Sequence, residues 1–326
     1  MPRIARIKAF VNDGVYHVIS RTATDRQFDD YERDHLVKVM RRLSDIYFTK
    51  VYAYCVMGNH FHLIVQMRPA AEISAQELRT RFARYRAALR FSPAWQMEDP
   101  EQLAKLKVKW SDLSEFIKEI KLIFTRWYNA RHQRRGFLWG GRFKNVLLEK
   151  GEALINCMAY VDMNPVRAGL TKVPEDYRWN SLFHHNARKN KGNWLSLDYA
   201  TPHGQYKDLT SNPLRLRFYR QYMYTRGSQD SWKLIGGEAR AQGKIPVARY
   251  KKAAGKKFTY TFKERFLQHS RYFSDSVIIG SREFVRAIHV QVKPLLLEKR
   301  KRQYPAMKGY GGLCSMRDLR KDVLAA

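Results

Sequence analysis

The segment Thr49–Met67 constrains the fold most, because it contains two strand-like runs separated by only two residues. The run Thr49–Met57 is rich in β-branched and aromatic residues, and the run His60–Met67 alternates as a strand does. Gly58 and Asn59 between them favour a tight turn. We therefore expect the two runs to pair as an antiparallel hairpin.

The segments around this hairpin indicate a larger sheet. Gly14–Arg21 is typical of a strand, and Asp30–Ile46 carries apolar residues at helical spacing. A strand, a helix and a hairpin form the opening of a ferredoxin-like split β-α-β-β-α-β antiparallel sheet. The later segments predict a basic helix 75–91, an amphipathic helix 113–132, a short strand 145–149 and a helix 152–163. The predicted class is α+β, with helical insertions in the sheet motif.

The charge of the chain indicates a polyanionic partner. Its 326 residues contain 61 Lys and Arg against 30 Asp and Glu, a formal net charge of +31. Such a surplus destabilises a compact protein by self-repulsion unless a polyanion neutralises it, and nucleic acid is the usual one. No run of about 18 apolar residues occurs, so the sequence predicts no membrane span.

The chain is predicted to have two regions. Residues 186–193 are typical of a loop, and we divide the chain into residues 1–195 and a basic, mostly helical C-terminal region, residues 196–326. The three cysteines, Cys55, Cys157 and Cys314, are odd in number and far apart, which argues against a disulfide framework. The first ten residues lack the apolar core of a signal peptide, so a cytoplasmic protein with reduced thiols is expected.

Two histidines form a candidate metal site in the second strand of the hairpin. Residues two apart on a strand point to one face, so His60 and His62 lie side by side while Phe61 faces the core. Neutral imidazoles at this spacing can chelate one divalent ion. The alternative is an ordinary pair of surface histidines.

Tyr160 and Asn164 are four residues apart and would share one helix face. An amide oxygen is an acceptable ligand for Mg²⁺ or Mn²⁺. The alternative is a half-buried tyrosine with Asn164 capping the helix. Pro165 disfavours helical geometry at Asn164 and leaves both readings open.

Several motifs occur together in a fixed order. They are GVYHVISR (14–21), VMGNHFHLIV (56–65), GFLWGGRFK (136–144), YVDMNPVRAGL (160–170) and WNSLFHH (179–185). This combination resembles the HUH-type single-tyrosine transposases, and among them the REP-associated tyrosine transposases of bacteria. The resemblance covers roughly residues 10–190.

The resemblance implies an enzyme that nicks single-stranded DNA and transfers the strand. His60, His62 and Asn164 would hold Mg²⁺ or Mn²⁺, while Tyr160 would form a 5′-phosphotyrosine intermediate. Tyr128 is a rival nucleophile from the residues alone, and the motif match favours Tyr160. The implied substrate is hairpin DNA rather than a small molecule, and the protein would act near the bacterial nucleoid as a monomer or homodimer.

Basic side chains supply the predicted DNA contacts. They are Arg79, Arg81, Arg84, Arg86 and Arg90 on the basic helix, and Arg142 and Lys144 in a glycine-rich loop. Phe137 and Trp139 in that loop either stack on unpaired bases or pack inside the protein. The functional alternatives are a domesticated, non-catalytic DNA-binding protein of the same fold, and a metallohydrolase that uses the histidine pair.

Overall fold

The computed structural model describes residues 14–88, 100–199, 206, 208–229, 272–293, 304–307, 310 and 312–317. The strands are β1 (Val15–Arg21), β2 (Thr49–Val56), β3 (His60–Met67), β4 (Lys144–Leu148), β5 (Ser276–Gly280) and β6 (Cys314–Arg317). The first five helices are α1 (Asp30–Ser44), α2 (Ala75–Ala88), α3 (Pro100–Trp110), α4 (Leu113–Arg131) and α5 (Glu152–Asp162). The next are α6 (Asn164–Arg167), α7 (Ser181–Ala187), α8 (Asn212–Gln229), α9 (Tyr272–Asp275) and α10 (Arg282–Val292).

The six strands form one sheet in the order β2-β3-β1-β4-β5-β6. The neighbours among β1 to β4 are all antiparallel, and this order, with α1 and α4 as the crossing helices, is the ferredoxin-like arrangement. The predicted fold class is confirmed, and α2 and α3 are inserted between β3 and α4.

The sheet continues with two strands that follow residue 195. β5 pairs in parallel with β4, and β6 pairs antiparallel with β5. The C-terminal region therefore completes a sheet that the first region begins. The functional division between residues 1–195 and 196–326 stays a prediction.

The predicted hairpin is present as β2 and β3. The Met57 amide donates to the His60 carbonyl at 2.8 Å across the turn, which closes the hairpin. A side chain at Gly58 would collide with Gln27, because a Cβ atom there would lie 1.6 Å from the Gln27 Oε1 atom. A larger residue at this position would therefore require the exposed Gln27 side chain to move.

One face of the sheet, which we call the core face, packs on α1 and α4. Phe61 on β3 is fully buried there and contacts Trp139, which in turn packs on Phe124 of α4. Asp29 and Glu32 form a capping box that starts α1, and Asp112 caps α4. In the described segments, no helix is both long and apolar enough to cross a membrane.

The opposite face, which we call the polar face, packs on α5. Asp162 at the end of α5 is buried and accepts hydrogen bonds from Ser181 (2.6 Å), the Leu182 amide (3.2 Å) and Tyr219 (2.6 Å). Burial outweighs these bonds and raises the pKa of its carboxyl to about 6. The three bonds tie α5 to α7 and to α8 of the C-terminal region.

Candidate active site

The histidine pair lies at the start of β3, on the polar face of the sheet. His60 lies opposite Arg21 of β1, and His62 lies opposite Ile19. The centroids of the two imidazole rings are 5.2 Å apart, and the ring planes meet at 76°. The strand alternation thus holds both rings on one face, while Phe61 between them is buried on the core face.

A third histidine, His17 of β1, sets the orientation of His62. The His17 Nδ1 atom lies 2.8 Å from the Phe273 carbonyl, and its Nε2 atom lies 2.9 Å from His62 Nδ1. A carbonyl only accepts, so Nδ1 of neutral His17 donates and its Nε2 accepts from His62. The His62 Nε2 atom is therefore left with its lone pair, which is the form that binds a metal.

His60 is oriented in the same way by Asn59. The Asn59 side-chain oxygen accepts from Arg21 and from His60 Nδ1, each at 2.9 Å. Because His60 donates through Nδ1, its Nε2 atom also carries a lone pair. Within the described residues, neither His60 Nε2 nor His62 Nε2 has a hydrogen-bond partner.

Burial keeps all three imidazoles neutral. It lowers the pKa of His60 and of His17 to about 4, with nearby arginine charge acting in the same direction. The pKa of His62 lies well below its usual value, first through burial and then through the neighbouring His17. At neutral pH the rings are therefore unprotonated, as metal ligands must be.

Tyr160 on α5 faces these histidines. The centroid of its ring lies 5.9 Å from those of His17 and His62, and 5.2 Å from that of Phe273. The phenol is half-buried, and its hydroxyl has no hydrogen-bond partner among the described residues. An unpaired hydroxyl beside two unpaired imidazole nitrogens is a suitable arrangement for a nucleophile at a metal site.

Tyr128, the rival nucleophile, lies on the core face. It is 1% exposed and packs against Phe28, Phe124 and His132. A DNA phosphate cannot reach its hydroxyl without unfolding α4. The structure therefore separates the two tyrosines by the thickness of the sheet.

Asn164 begins α6 rather than continuing α5. Its side-chain oxygen accepts from Arg167 Nη2 at 2.6 Å, and its amide donates to the Val161 carbonyl at 3.2 Å. Pro165 is accommodated in the first turn of α6, where a missing N–H costs nothing. Asn164 therefore sits beside Tyr160, but its oxygen contacts a guanidinium.

Arg167 was absent from the sequence prediction. Its Nη2 atom donates to the Tyr160 carbonyl at 2.7 Å, and its guanidinium lies 4.0 Å from the centroid of the Tyr160 ring. A signal was present, because Arg167 follows Tyr160 by seven residues and Asn164 by three, a spacing that keeps one helix face. His17, which lies in the strand motif GVYHVISR (14–21), was also not predicted as a site residue.

The donor set fits a divalent ion. His60 and His62 offer two unprotonated nitrogens, and the Asn164 oxygen keeps one lone pair beyond its bond to Arg167. Imidazole nitrogens suit Mn²⁺ better than Mg²⁺, which prefers oxygen. Among the residues that the structure describes, no group of three or more His, Cys, Asp or Glu side chains could hold a metal.

The predicted basic helix is α2, and its arginines differ in exposure. Arg79, Arg84 and Arg86 are exposed. Arg81 is turned inward, where it pairs with Glu77 at 3.0 Å, donates to the Tyr47 carbonyl and covers the ring of Phe48. Arg90 lies outside the described residues.

The loop between α4 and β4 lies at the histidine end of the sheet. It is attached to the end of β1, since the Gly140 amide donates to the Arg21 carbonyl at 2.9 Å. Arg142 and Lys144 are exposed in it. Phe137 is 90% exposed, whereas Trp139 is packed in the core. The two aromatic residues therefore have different environments.

A comparison with known protein families matches the part of the chain that contains the histidine pair. Residues 10–88 match the sequence model of a family described as "Transposase IS200 like". A solved structure of a REP-associated tyrosine transposase bound to a REP hairpin is similar at 16% identity and a TM-score of 0.39, over 62% of this chain and 92% of that one. No curated protein matches the chain significantly. Residues 10–88, which include both histidines of the pair, are therefore similar in sequence to the IS200-like transposases.

Proposed function

We propose that this protein is a metal-dependent enzyme that nicks single-stranded DNA and transfers the strand through a covalent tyrosine intermediate. The observation that carries the proposal is that the Tyr160 ring, whose hydroxyl is unpaired in the described part of the chain, lies 5.9 Å from the ring of His62, which lies 5.2 Å from that of His60. The family match over residues 10–88 supports a transposase-like reaction on DNA.

In the proposed step, the Tyr160 oxygen attacks a phosphorus of the DNA backbone. The bond between this oxygen and phosphorus forms, and the bond from phosphorus to the 3′ oxygen breaks. The phenol proton passes to solvent, and the leaving 3′ oxygen takes up a proton to become a hydroxyl. The 5′-phosphotyrosine keeps the energy of the broken diester, so a second 3′ hydroxyl can reverse the step without ATP.

His60, His62 and Asn164 would hold Mg²⁺ or Mn²⁺ in this site. When bound, the ion polarises a phosphate oxygen and stabilises the charge of the transition state. His17 and Asn59 keep the two imidazoles in the tautomer that binds metal. These two residues act through the ligands and are positioning residues.

The DNA partner is proposed to be a hairpin with unpaired bases. Among the predicted DNA contacts, the exposed cations are Arg79, Arg84 and Arg86 on α2, Arg142 in the loop before β4, and Lys144 at the start of β4. Phe137, in the same loop as Arg142, is exposed and offers an open ring face for stacking on a base. The basic region 196–326 adds affinity for the phosphate backbone in this proposal.

The test is a search for the covalent intermediate. The protein is incubated with labelled single-stranded hairpins and Mg²⁺ or Mn²⁺, and the products are separated on a denaturing gel. We expect a protein–DNA adduct that EDTA prevents. Cleavage without an adduct would indicate a metallohydrolase, and binding without cleavage would indicate a non-catalytic DNA-binding protein; either result refutes the proposal.

A further inference from the structure

A positive charge without a counter-charge lies beside Tyr160. The guanidinium of Arg167 covers the Tyr160 ring, and none of the described carboxylates forms an ion pair with it. The ionisable groups that act most strongly on its charge are Tyr160, Tyr310, Cys55 and Cys157, and none of these is a carboxylate. A largely enclosed cation without a carboxylate partner is unfavourable unless an anion joins it.

Arg81 is an inward-facing arginine that packs on the protein, and it differs from Arg167 because it has a counter-charge. Its guanidinium is paired with Glu77, which also binds Arg68 at 2.8 Å. Arg167 has no such partner in the described part of the chain. Arg167 therefore lacks a counter-charge at the place where the proposed reaction positions a DNA phosphate.

The hydrogen-bond inventory of Arg167 leaves donors for an anion. Its Nη2 atom serves both the Tyr160 carbonyl and the Asn164 oxygen. Its Nε and Nη1 atoms have no partner among the described residues. Arginine binds phosphate through its N–H groups, and both Nε and Nη1 keep a donor for that purpose.

We propose that Arg167 binds the phosphate that Tyr160 attacks, with a free N–H group of Nε or Nη1 donating to a nonbridging oxygen. The inference rests on the proposed function and adds a catalytic residue to it. Charge on the nonbridging oxygens is redistributed in the transition state, and a fixed guanidinium stabilises it at no reorganisation cost. No bond to Arg167 forms or breaks. Its bonds to Tyr160 and Asn164 fix the guanidinium relative to the nucleophile.

The experiment uses the full chain and the hairpin that gives an adduct with the wild type. Single-turnover rates of adduct formation are measured at saturating DNA for the wild type, Arg167→Gln and Arg167→Lys. Lys172→Ala is the matched control, since Lys172 is an exposed cation five residues further along. We expect the rate to fall about 100-fold in Arg167→Gln and about 10-fold in Arg167→Lys, while Lys172→Ala reacts as the wild type does.

A second substrate separates phosphate binding from mere support of the helix. It carries an uncharged methylphosphonate at the cleaved linkage. Loss of the phosphate charge should slow the wild type strongly and should slow Arg167→Gln at least about 10-fold less, because that variant has already lost the contact. A helix support would give equal slowing in both proteins. Thermal unfolding of each variant identifies misfolding, and Arg167→Lys, which keeps the charge, serves if Arg167→Gln does not fold.

The two proposals fail in different ways. If the wild type forms no adduct with any hairpin, the proposed function fails. If the wild type reacts and Arg167→Gln reacts equally fast, or if the methylphosphonate slows both proteins equally, only the role of Arg167 fails.

Discussion

Neighbouring residues of the same strands form both faces of the sheet, but one face packs apolar side chains and the other holds hydrogen-bonded polar ones. On the core face, Phe61 and Leu63 pack among aromatic side chains and make no polar contact. On the polar face, His60 is half-buried and His62 is buried, and each has a hydrogen bond at one ring nitrogen. One strand therefore supplies the stability of the fold on one side and its candidate chemistry on the other.

The polar face shows how hydrogen bonds offset the energetic cost of burying polar side chains. Three buried groups of the polar face have fixed partners: His17 has a carbonyl, His62 has His17, and Asp162 has three donors. The atoms left without partners in the described site are those that the proposed chemistry uses: the Tyr160 hydroxyl, the two Nε2 atoms, and Nε and Nη1 of Arg167. Unpaired groups at a site otherwise fully paired are strong indicators of ligand contact.

The largest expected effect separates the two tyrosines. Tyr160→Phe should abolish adduct formation, a loss of at least about 1,000-fold, because the attacking oxygen is removed. Tyr128→Phe makes the same chemical change on the core face and should leave the rate within about twofold. Both variants are measured by denaturing gel at saturating hairpin and Mn²⁺.

Thermal unfolding is the control for this pair. We expect both variants to unfold within a few degrees of the wild type, since each loses only a hydroxyl. Adduct formation that persists in Tyr160→Phe and disappears in Tyr128→Phe would reverse the assignment of the nucleophile.

Adjacent residues of β3 provide the second comparison. His62→Ala should weaken Mn²⁺ binding by at least about 10-fold and reduce adduct formation accordingly, because one of two imidazole ligands is lost. Leu63→Ala should instead cost about 3 kcal/mol of stability through a core cavity, with Mn²⁺ affinity retained in the folded protein. Free Mn²⁺ is measured by electron paramagnetic resonance, and unfolding by urea titration. Equal Mn²⁺ affinity in the wild type and His62→Ala would exclude His62 as a ligand.

Most of the sheet could be predicted from the sequence, and about half of the candidate site. The hairpin and the orientation of His60, Phe61 and His62 follow from turn chemistry and strand alternation, which are local. The contact between His17 and His62 joins residues 45 positions apart on different strands, and only the register of β1 on β3 creates it. The attachment of β5 to β4 is a parallel pairing between distant segments, which no local pattern indicates.

Composition also could not distinguish binding residues from packing residues. Arg81 has the same sequence character as Arg84, yet its position on α2 directs it toward Glu77 and Phe48. Phe137 and Trp139 were equally suited to stacking or packing, and the attachment of the loop to β1 decides between them. Tertiary contacts decide which residue of each pair is packed and which is exposed, because the same type of side chain is favourable in either environment.

Phe137 and Trp139 give the third comparison, within one loop. Phe137→Ala should weaken hairpin binding about 10-fold, the typical loss for one stacked base, and leave thermal stability unchanged. Trp139→Ala should cost about 3 kcal/mol or more of stability, because its ring packs on Phe28, Phe61 and Phe124. Fluorescence anisotropy with a labelled hairpin and thermal unfolding measure the two effects. Unchanged affinity in Phe137→Ala would remove the stacking contact from the proposal.

The smallest expected effect concerns the arginines of α2, which lie at the far end of the sheet from the histidine pair. Because β3 spans seven steps of about 3.3 Å, the DNA must extend roughly 23 Å to contact both. Arg84→Ala should weaken hairpin binding only a few-fold at physiological salt, and it should reduce the slope of log affinity against log salt by about 0.7 to 0.9. Arg81→Ala should leave that slope unchanged and lower the stability instead, because Arg81 pairs with Glu77 and packs on Phe48. An unchanged slope in Arg84→Ala would mean that the DNA does not reach α2, and the phosphate contacts would then be confined to the loop at the histidine end and to the C-terminal region.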